Sequence, residues 1–395
     1  MELERRGRRR VVVTGLGVVS CAGIGLDAFF EGLNGPAPEG ERRVRDFDPS
    51  PWFDLKQSRR ADRFQQFAVA AAQMALEDGG HPEPDPARAG VVIGTGVGGL
   101  ETLEGQIKVL QEKGPRRVSP FLVPMMMANA GAASVSMRFG WHGPCETVVT
   151  ACAAGTQSIA AAYRLIAYGR CDLVVGGGAE AAMTPVAMAA FSNMTALSTS
   201  GESRPFDVRR DGFVMGEGAG ALLLEELGHA RARGAHIYAE MLGSGSTADA
   251  HHITAPAPGG AGALACMQFA LEDAGLSPAD ITHVNAHGTS TPLNDLAEAE
   301  ALEKLFGSES PPVTSLKGVT GHSLGAAGAL EAVAASLTIE RRLIPPTVGL
   351  EQLDPEIHLD LVTGGPAPFE EGALLSNSFG FGGHNGTIVL SSFSE

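Results

Sequence analysis

The chain has 395 residues, with 29 Lys+Arg against 45 Asp+Glu and a formal net charge of −16. That balance argues against a protein that holds nucleic acid or an anionic membrane, because phosphate binding rests on basic side chains. With 44% hydrophobic and 19% charged residues the chain can bury a large core and is not disordered, and 52 glycines imply many tight turns or close backbone approaches.

Taken in order, short apolar β-branched runs alternate with Ala-rich stretches of helical period. The first ten residues carry five arginines and lead into VVVTG (11–15), a predicted strand. No apolar region with a cleavage site follows, so no secretion signal is expected. PAPEGERRVRDFDPSP (36–51) reads as loop. A helix is predicted over 63–79 and a strand at GVVIG (90–94). The uncharged run 118–137 is long enough to cross a bilayer, but Pro120, Pro124, Asn129 and Gly131 interrupt it. It is expected to be a buried loop and helix. Strands follow at ETVVT (146–150) and DLVVGGG (172–178), flanking a helix over 155–169. The second half continues with IYAEMLG (237–243), a helix over 261–275, HVNAHG (283–288), PVTSLKG (312–318) and ALLSNS (373–378). Apolar strands buried on both faces, alternating with helices, are the pattern of an α/β protein.

The halves share a plan. Each opens with a strand ending in Gly, VVVTGLG and AEMLGSG, and each later sets a reactive residue just after a strand, Cys152 and His287. An internal duplication with its seam near residue 236 is expected, dividing the chain into 1–236 and 237–395. The five cysteines, Cys21, Cys145, Cys152, Cys171 and Cys266, are odd in number and form no CxxC pair. This argues against a disulfide framework or a Cys-based zinc site and fits a reduced, cytoplasmic setting.

Four segments carry chemistry. In VVTACAAGTQSIAAAYRLIAYG (148–169), Cys152 falls at a bend before a helix, where unpaired N–H groups favour a thiolate. The helix end contributes about 0.3–1 kcal/mol, up to ~2. At about 1.36 kcal/mol per unit this lowers a thiol pKa by at most about 1.5. Cys152 is therefore a nucleophile or a buried small apolar residue. In HVNAHGTSTPLNDLAEAEAL (283–302), His287 precedes three hydroxyls, Thr289, Ser290 and Thr291, which suit a polar ligand or cap the turn. A helix capped by Asn294 or Asp295 is expected to follow. In SLKGVTGHSLGAAGALEAV (315–333), His322 lies in a Gly-bounded turn, with Lys317 five residues before and Glu331 nine after. A core or capping role is the alternative there. In SNSFGFGGHNGTIVL (376–390), the glycines around Phe379 and Phe381 let backbone N–H groups approach a substrate oxygen, or simply make a hairpin. GTGVGG (94–99) has the spacing of a dinucleotide-binding turn but lacks the acidic ribose partner about twenty residues on, and is set aside.

Together these segments resemble the β-ketoacyl-[acyl-carrier-protein] synthases, above all the type II elongating condensing enzymes. TACAAG, SRPFD, RDGFVMGEGAG, TAPAP, NAHGTSTPLND, KGVTGHSLGAAG and NSFGFGG carry the resemblance, in that order over nearly the whole chain. It implies a thiolase fold, with two similar halves stacked as αβαβα, and a homodimer. It implies that Cys152 takes the acyl chain as a thioester and that His287 and His322 bind the malonyl thioester carbonyl. Lys317 and Glu331 would support the histidines, and Asp295 the segment beside them. Thr254, Thr289 and Thr291 would hold the pantetheine arm. Phe381 N–H would join that of Cys152 in an oxyanion hole, with Phe379 and Phe381 as a gate. No metal or organic cofactor is implied, since substrates ride on the phosphopantetheine of acyl-carrier protein. A His-Asn pair would point instead to initiating synthases and a second catalytic Cys to thiolases.

Acyl-carrier proteins are acidic. The resemblance places their docking patch at Lys56, Arg59 and Arg60 and at Arg116 and Arg117, which also suit an ordinary solvated basic face. Two positions depart from many relatives, Thr195 where Arg is common and His384 where Thr is common. The competing reading is a chain-length factor, a non-catalytic partner of another synthase, from which the nucleophile is absent. A degradative thiolase-like enzyme is a third.

Overall fold

The computed structural model describes residues 3–394. Its main sheet is built twice from the same plan. In the first half, β1 (Val11–Ser20), β2 (Ala89–Gly94), β3 (Cys145–Glu146), β4 (Leu173–Glu180) and β5 (Gly218–Glu226) lie in the order β1-β5-β4-β2-β3. In the second, β6 (Ala239–Ala248), β7 (Ile281–Asn285), β8 (Val313–Thr314), β9 (Ala373–Gly380) and β10 (His384–Ser391) lie in the order β6-β10-β9-β7-β8. In each, the first strand pairs antiparallel with the fifth, the fifth antiparallel with the fourth, and the remaining pairs are parallel. The two sets join through a short antiparallel pairing of Val11–Val13 in β1 with Ala239–Met241 in β6.

Helices fill three layers around them. On the outer face of the first set lies α1 (Arg63–Asp78), which a capping box of Asp62 and Gln65 starts. It buries Phe64 and Phe67 fully, each contributing about 1.5–3 kcal/mol of apolar transfer. Between the sets lie α2 (Ala154–Ala167) and α5 (Ala327–Arg341), and outside the second set lie α3 (Ala261–Ala274) and α4 (Pro292–Phe306). This is the αβαβα stack that the resemblance implies. The middle layer is possible only with small residues: a Cβ on Gly155 would lie 2.8 Å from Ala329 N, and one on Gly328 2.0 Å from Thr156 Oγ1.

Several local expectations change. Of ETVVT only Glu146 is strand, in β3 with Cys145, and 147–150 is irregular with one further ladder bond, Thr95 N–H to Val148 O. The bend at Cys152 imposes this, because the chain must leave the sheet to place the thiol. The 118–137 run folds partly into helices Leu122–Met126 and Ala130–Phe139, but Val123, Met127 and Met137 are exposed, so it is not the buried element expected. No helix among the described residues is long and apolar enough to cross a membrane. The N-terminal arginines are not a free basic tail: Arg8, Arg9 and Arg10 pair with Asp273, Asp172 and Glu240.

Candidate active site

Cys152 sits in a single 3-10 turn, Ala151–Ala153, that runs directly into α2. Ala151, just before it, has φ +49, a left-handed backbone that an L-residue with a Cβ adopts only under constraint. His287 follows β7 by two residues, and His322 follows the short helix Lys317–Thr320. His322 is fixed by its own backbone: its N–H donates to Val214 O at 2.7 Å and its carbonyl accepts from Gly216 N–H at 3.0 Å. These segments come from three places in the sequence and meet at one point. The sulfur and the nearest ring nitrogens of the two histidines all lie within 4.8 Å of one another.

His322 Nε2 is 2.9 Å from Cys152 Sγ. The imidazoles of His287 and His322 stand edge to face with centroids 5.2 Å apart, and Phe213 packs edge to face on His322 at 5.3 Å. Behind His287, Lys317 Nζ donates to His287 O at 2.5 Å and stands 3.3 Å from His287 Nδ1. Lys317 is fully buried and also pairs with the Glu331 carboxylate. Donation from Lys317 to Nδ1 assigns the His287 proton to Nε2, which faces away from the lysine.

Burial dominates the electrostatics. It pushes the Cys152 thiol up to about 11, against the opposing pull of Phe381 N–H and of Lys317. The helix end, the one influence visible in the local sequence, is the weaker effect: removing the thiolate from water costs more than the helix end returns. Burial holds both histidines well below the ordinary imidazole range, helped by Lys317. The resting set is a neutral thiol beside two neutral imidazoles.

The cavity over these groups is about 450 Å³. Val97, Phe191, Phe213 and Leu324 give it an apolar wall, while Thr254, Thr289 and Thr291 give it a polar one. Thr289 Oγ1 and Thr291 Oγ1 are 2.8 Å apart. Phe379 and Phe381 both line it, with Phe379 6.0 Å from His287 ring to ring. The Gly-Phe-Gly-Gly segment is the hairpin between β9 and β10 and presents Phe381 N–H to the sulfur at the same time. Gly382 and Gly383 turn it with φ +83 and +72. Thr195 lines the cavity, and His384 is the first residue of β10.

Asp295 is not a helix cap. Helix α4 starts at Pro292 with Thr291 at the cap position. Asp295, buried in its first turn, accepts from Ser290 N–H at 3.1 Å and Phe206 N–H at 2.9 Å. Two buried carboxylates that hold turns beside the cavity escaped the sequence reading. Glu298 accepts from His287 N–H and Gly288 N–H, both at 2.8 Å. Glu180, at the end of β4, accepts from Gly96 N–H at 2.6 Å and Gly325 N–H at 3.1 Å. Burial pushes both up to about 7. The one available signal for Glu298 was its spacing of three from Asp295 on a helix, which puts both on one face. The set-aside GTGVGG turn serves packing, with Gly96 against Glu180.

The five basic residues proposed for docking are exposed. The Arg60 guanidinium lies 4.2 Å over the Phe121 ring, which brings 54–60 beside the segment holding Arg116 and Arg117.

Residues 34–230 match the family described as β-ketoacyl synthase, N-terminal domain, and residues 238–351 the one described as its C-terminal domain. The chain is 45% identical to 3-oxoacyl-[acyl-carrier-protein] synthase 2 of Synechocystis sp., over 98% of this chain and 99% of that protein. It is 44% identical to the protein of the same name from Staphylococcus aureus, strain COL, over 98% and 99%. Among solved structures it resembles a β-ketoacyl synthase from Burkholderia phymatum (TM-score 0.92, 34% identity, 98% of this chain, 100% of that one). It also resembles the ishigamide ketosynthase/chain length factor (0.91, 35%, 98% and 100%). A third is a type II polyketide ketosynthase bound to a hexaketide and in complex with its acyl-carrier protein (0.89, 32%, 98% and 100%). With its duplicated sheet and these near-full-length likenesses, the chain belongs to the β-ketoacyl synthase family.

Proposed function

We propose that this protein joins a Cys152-bound acyl group to malonyl-acyl-carrier protein in a decarboxylating Claisen condensation. The observation that carries the reading is the convergence of one sulfur and two imidazoles within 4.8 Å at a cavity. In the first half-reaction Cys152 Sγ attacks the acyl thioester carbonyl. The S–H bond breaks, a new C–S bond forms, and a proton is taken up by the departing pantetheine sulfur. The N–H groups of Cys152 and Phe381 stabilise the carbonyl oxygen as it gains charge; removing one such donor costs about 2.7–4 kcal/mol.

In the second, the malonyl C–CO2 bond breaks and its electron pair becomes an enolate. Neutral imidazoles that donate through Nε2 hold that oxygen without leaving a fixed cation behind. The enolate carbon attacks the Cys152 thioester, and the sulfur leaves and takes up a proton. Acyl-Cys152, malonyl thioester and one proton balance against 3-oxoacyl thioester, CO2 and the free Cys152 thiol with no redox change, so the reaction as written calls for no further cofactor. Lys317 and Glu331 hold His287 in its tautomer. Thr254, Thr289 and Thr291 take the pantetheine arm, and Phe379 with Phe381 divides acyl from malonyl space. We divide the chain at 236/237 into a nucleophile-bearing half and a histidine-bearing half.

We further propose that acyl-carrier protein docks at Lys56, Arg59, Arg60, Arg116 and Arg117, and that the protein works in the cytoplasm as a homodimer. Support for a second copy comes from the edge strand β3, which among the described residues has no partner on its outer side, and from Met137 and Val149, 76% and 50% exposed beside it. The test of function is incubation with acyl- and malonyl-carrier proteins, followed by intact-mass analysis. The expected result is an acyl adduct on Cys152 that disappears as 3-oxoacyl product and CO2 form. A folded protein with neither adduct nor product would overturn the reading. Activity only after mixing with a second synthase would favour a chain-length factor.

A further inference from the structure

Glu180 is a buried carboxylate with no basic partner among the described residues. Its oxygens accept instead from two turns in different halves of the fold. Gly96 N–H and Thr95 Oγ1–H, at 2.6 and 3.0 Å, come from the turn after β2. Gly325 N–H, at 3.1 Å, comes from the turn after His322. The two turns touch so closely that a Cβ on Gly325 would stand 2.2 Å from Gly96 N.

Between His322 and Gly325 lies Leu324, with φ +47. A bulky γ-branched residue is rarely left-handed, and such a conformation persists only where the surroundings hold it. Leu324 is 6% exposed, packs in one cluster with Cys152, Met183, Phe213 and Met215, and lines the cavity with Gly96 and Val97. His322 is held separately, by its own backbone bonds to Val214 and Gly216.

We infer that Glu180 is a positioning residue that clamps the 95–97 and 324–325 turns together, holding Leu324 as a rigid wall of the acyl chamber and so favouring long acyl chains on Cys152. A long chain touches more of that wall than a short one. Without the clamp it must order the wall on binding, and it therefore loses more affinity. The inference rests on Cys152 being the acyl carrier.

The test measures loading of Cys152 by intact mass with acyl-carrier thioesters of short and long chains. One carboxylate oxygen, Oε2, accepts from both Gly96 and Gly325, so the test compares the parent with Glu180→Leu, which keeps the size but removes both acceptor oxygens. Decarboxylation of malonyl thioester is followed in parallel. Glu180→Leu should lower the long-to-short loading ratio about tenfold and change decarboxylation less than threefold. Leu324→Ala should lower the ratio similarly, and adding Glu180→Leu to it should cause no further fall. If Glu180→Leu does not fold, Thr95→Val, which removes the bond to the other oxygen, should shift the ratio in the same direction by a smaller factor. An unchanged ratio in the folded variants, or equal loss of loading at all lengths and of decarboxylation, overturns the inference. A parent that never acylates Cys152 would defeat the catalytic reading instead.

Discussion

His322 and Cys152, separated by 170 positions in the chain, bring Nε2 to 2.9 Å from Sγ inside a buried pocket. Both partners are neutral there, because burial raises the thiol to about 11 and depresses the imidazole. Nucleophilicity resides in the thiolate, whose fraction grows with pH below that value. Alkylation of Cys152 by iodoacetamide should therefore quicken about tenfold per pH unit from pH 7 to 10. A rate that levels off at or below pH 8 would show a thiolate already formed and would contradict the neutral pair.

His287 is backed by Lys317 at Nδ1 and by Glu298 at its backbone N–H, and no hydrogen bond joins it to the sulfur among the described residues. Replacing it should separate the half-reactions. His287→Ala should leave acylation of Cys152 within a few-fold. It should slow condensation by about 10²–10³, the usual loss of one donor to a developing oxyanion. Single-turnover acylation and steady-state product formation measure the two, and equal losses in both would refute the division of labour.

Glu298 holds the turn that carries His287 by accepting two buried N–H bonds. Glu298→Ala should cost about 1–3 kcal/mol for each N–H left unpaired, read from urea unfolding. The pH dependence follows from the carboxyl group, raised by burial from 4.5 to about 7. A raised group holds its proton longer in the folded state, so its contribution is full below pH 4.5 and is lost as pH rises through about 7. The stability deficit of Glu298→Gln relative to the parent should therefore widen as pH falls from 7 to 4.5. A deficit that stays constant over that window would place the carboxyl at its ordinary value.

Arg60 and the 116–117 arginines form one exposed basic face. Charge reversal at Arg60 or Arg116 should raise KM for carrier-borne substrates about two- to fivefold each, the range of an exposed ion pair. The effect should fade in high salt and be absent with a free pantetheine thioester. Equal losses with both substrates would move the docking site elsewhere.

The order of elements, the doubled plan and the residue types that meet at the cavity were legible in the linear chain. Hydrophobic periodicity is local, and TACAAG, NAHGTSTP and GHSLGAAG are contiguous. What sequence reasoning missed involves contacts between distant segments. Asn294 and Asp295 looked like caps because cap chemistry was judged from neighbours alone; in the fold Asp295 serves Ser290 and Phe206. Glu180 and Glu298 looked like ordinary acidic residues, since nothing beside them in the chain shows that their oxygens receive N–H groups from other segments.

The sequence by itself determined that this is a two-part α/β chain with Cys152, His287 and His322 placed after strands and turns. Only the tertiary structure decided their protonation. Burial is a property of the assembled layers, and it outweighs the helix end that the local sequence displays, leaving Cys152 a neutral thiol against a neutral His322.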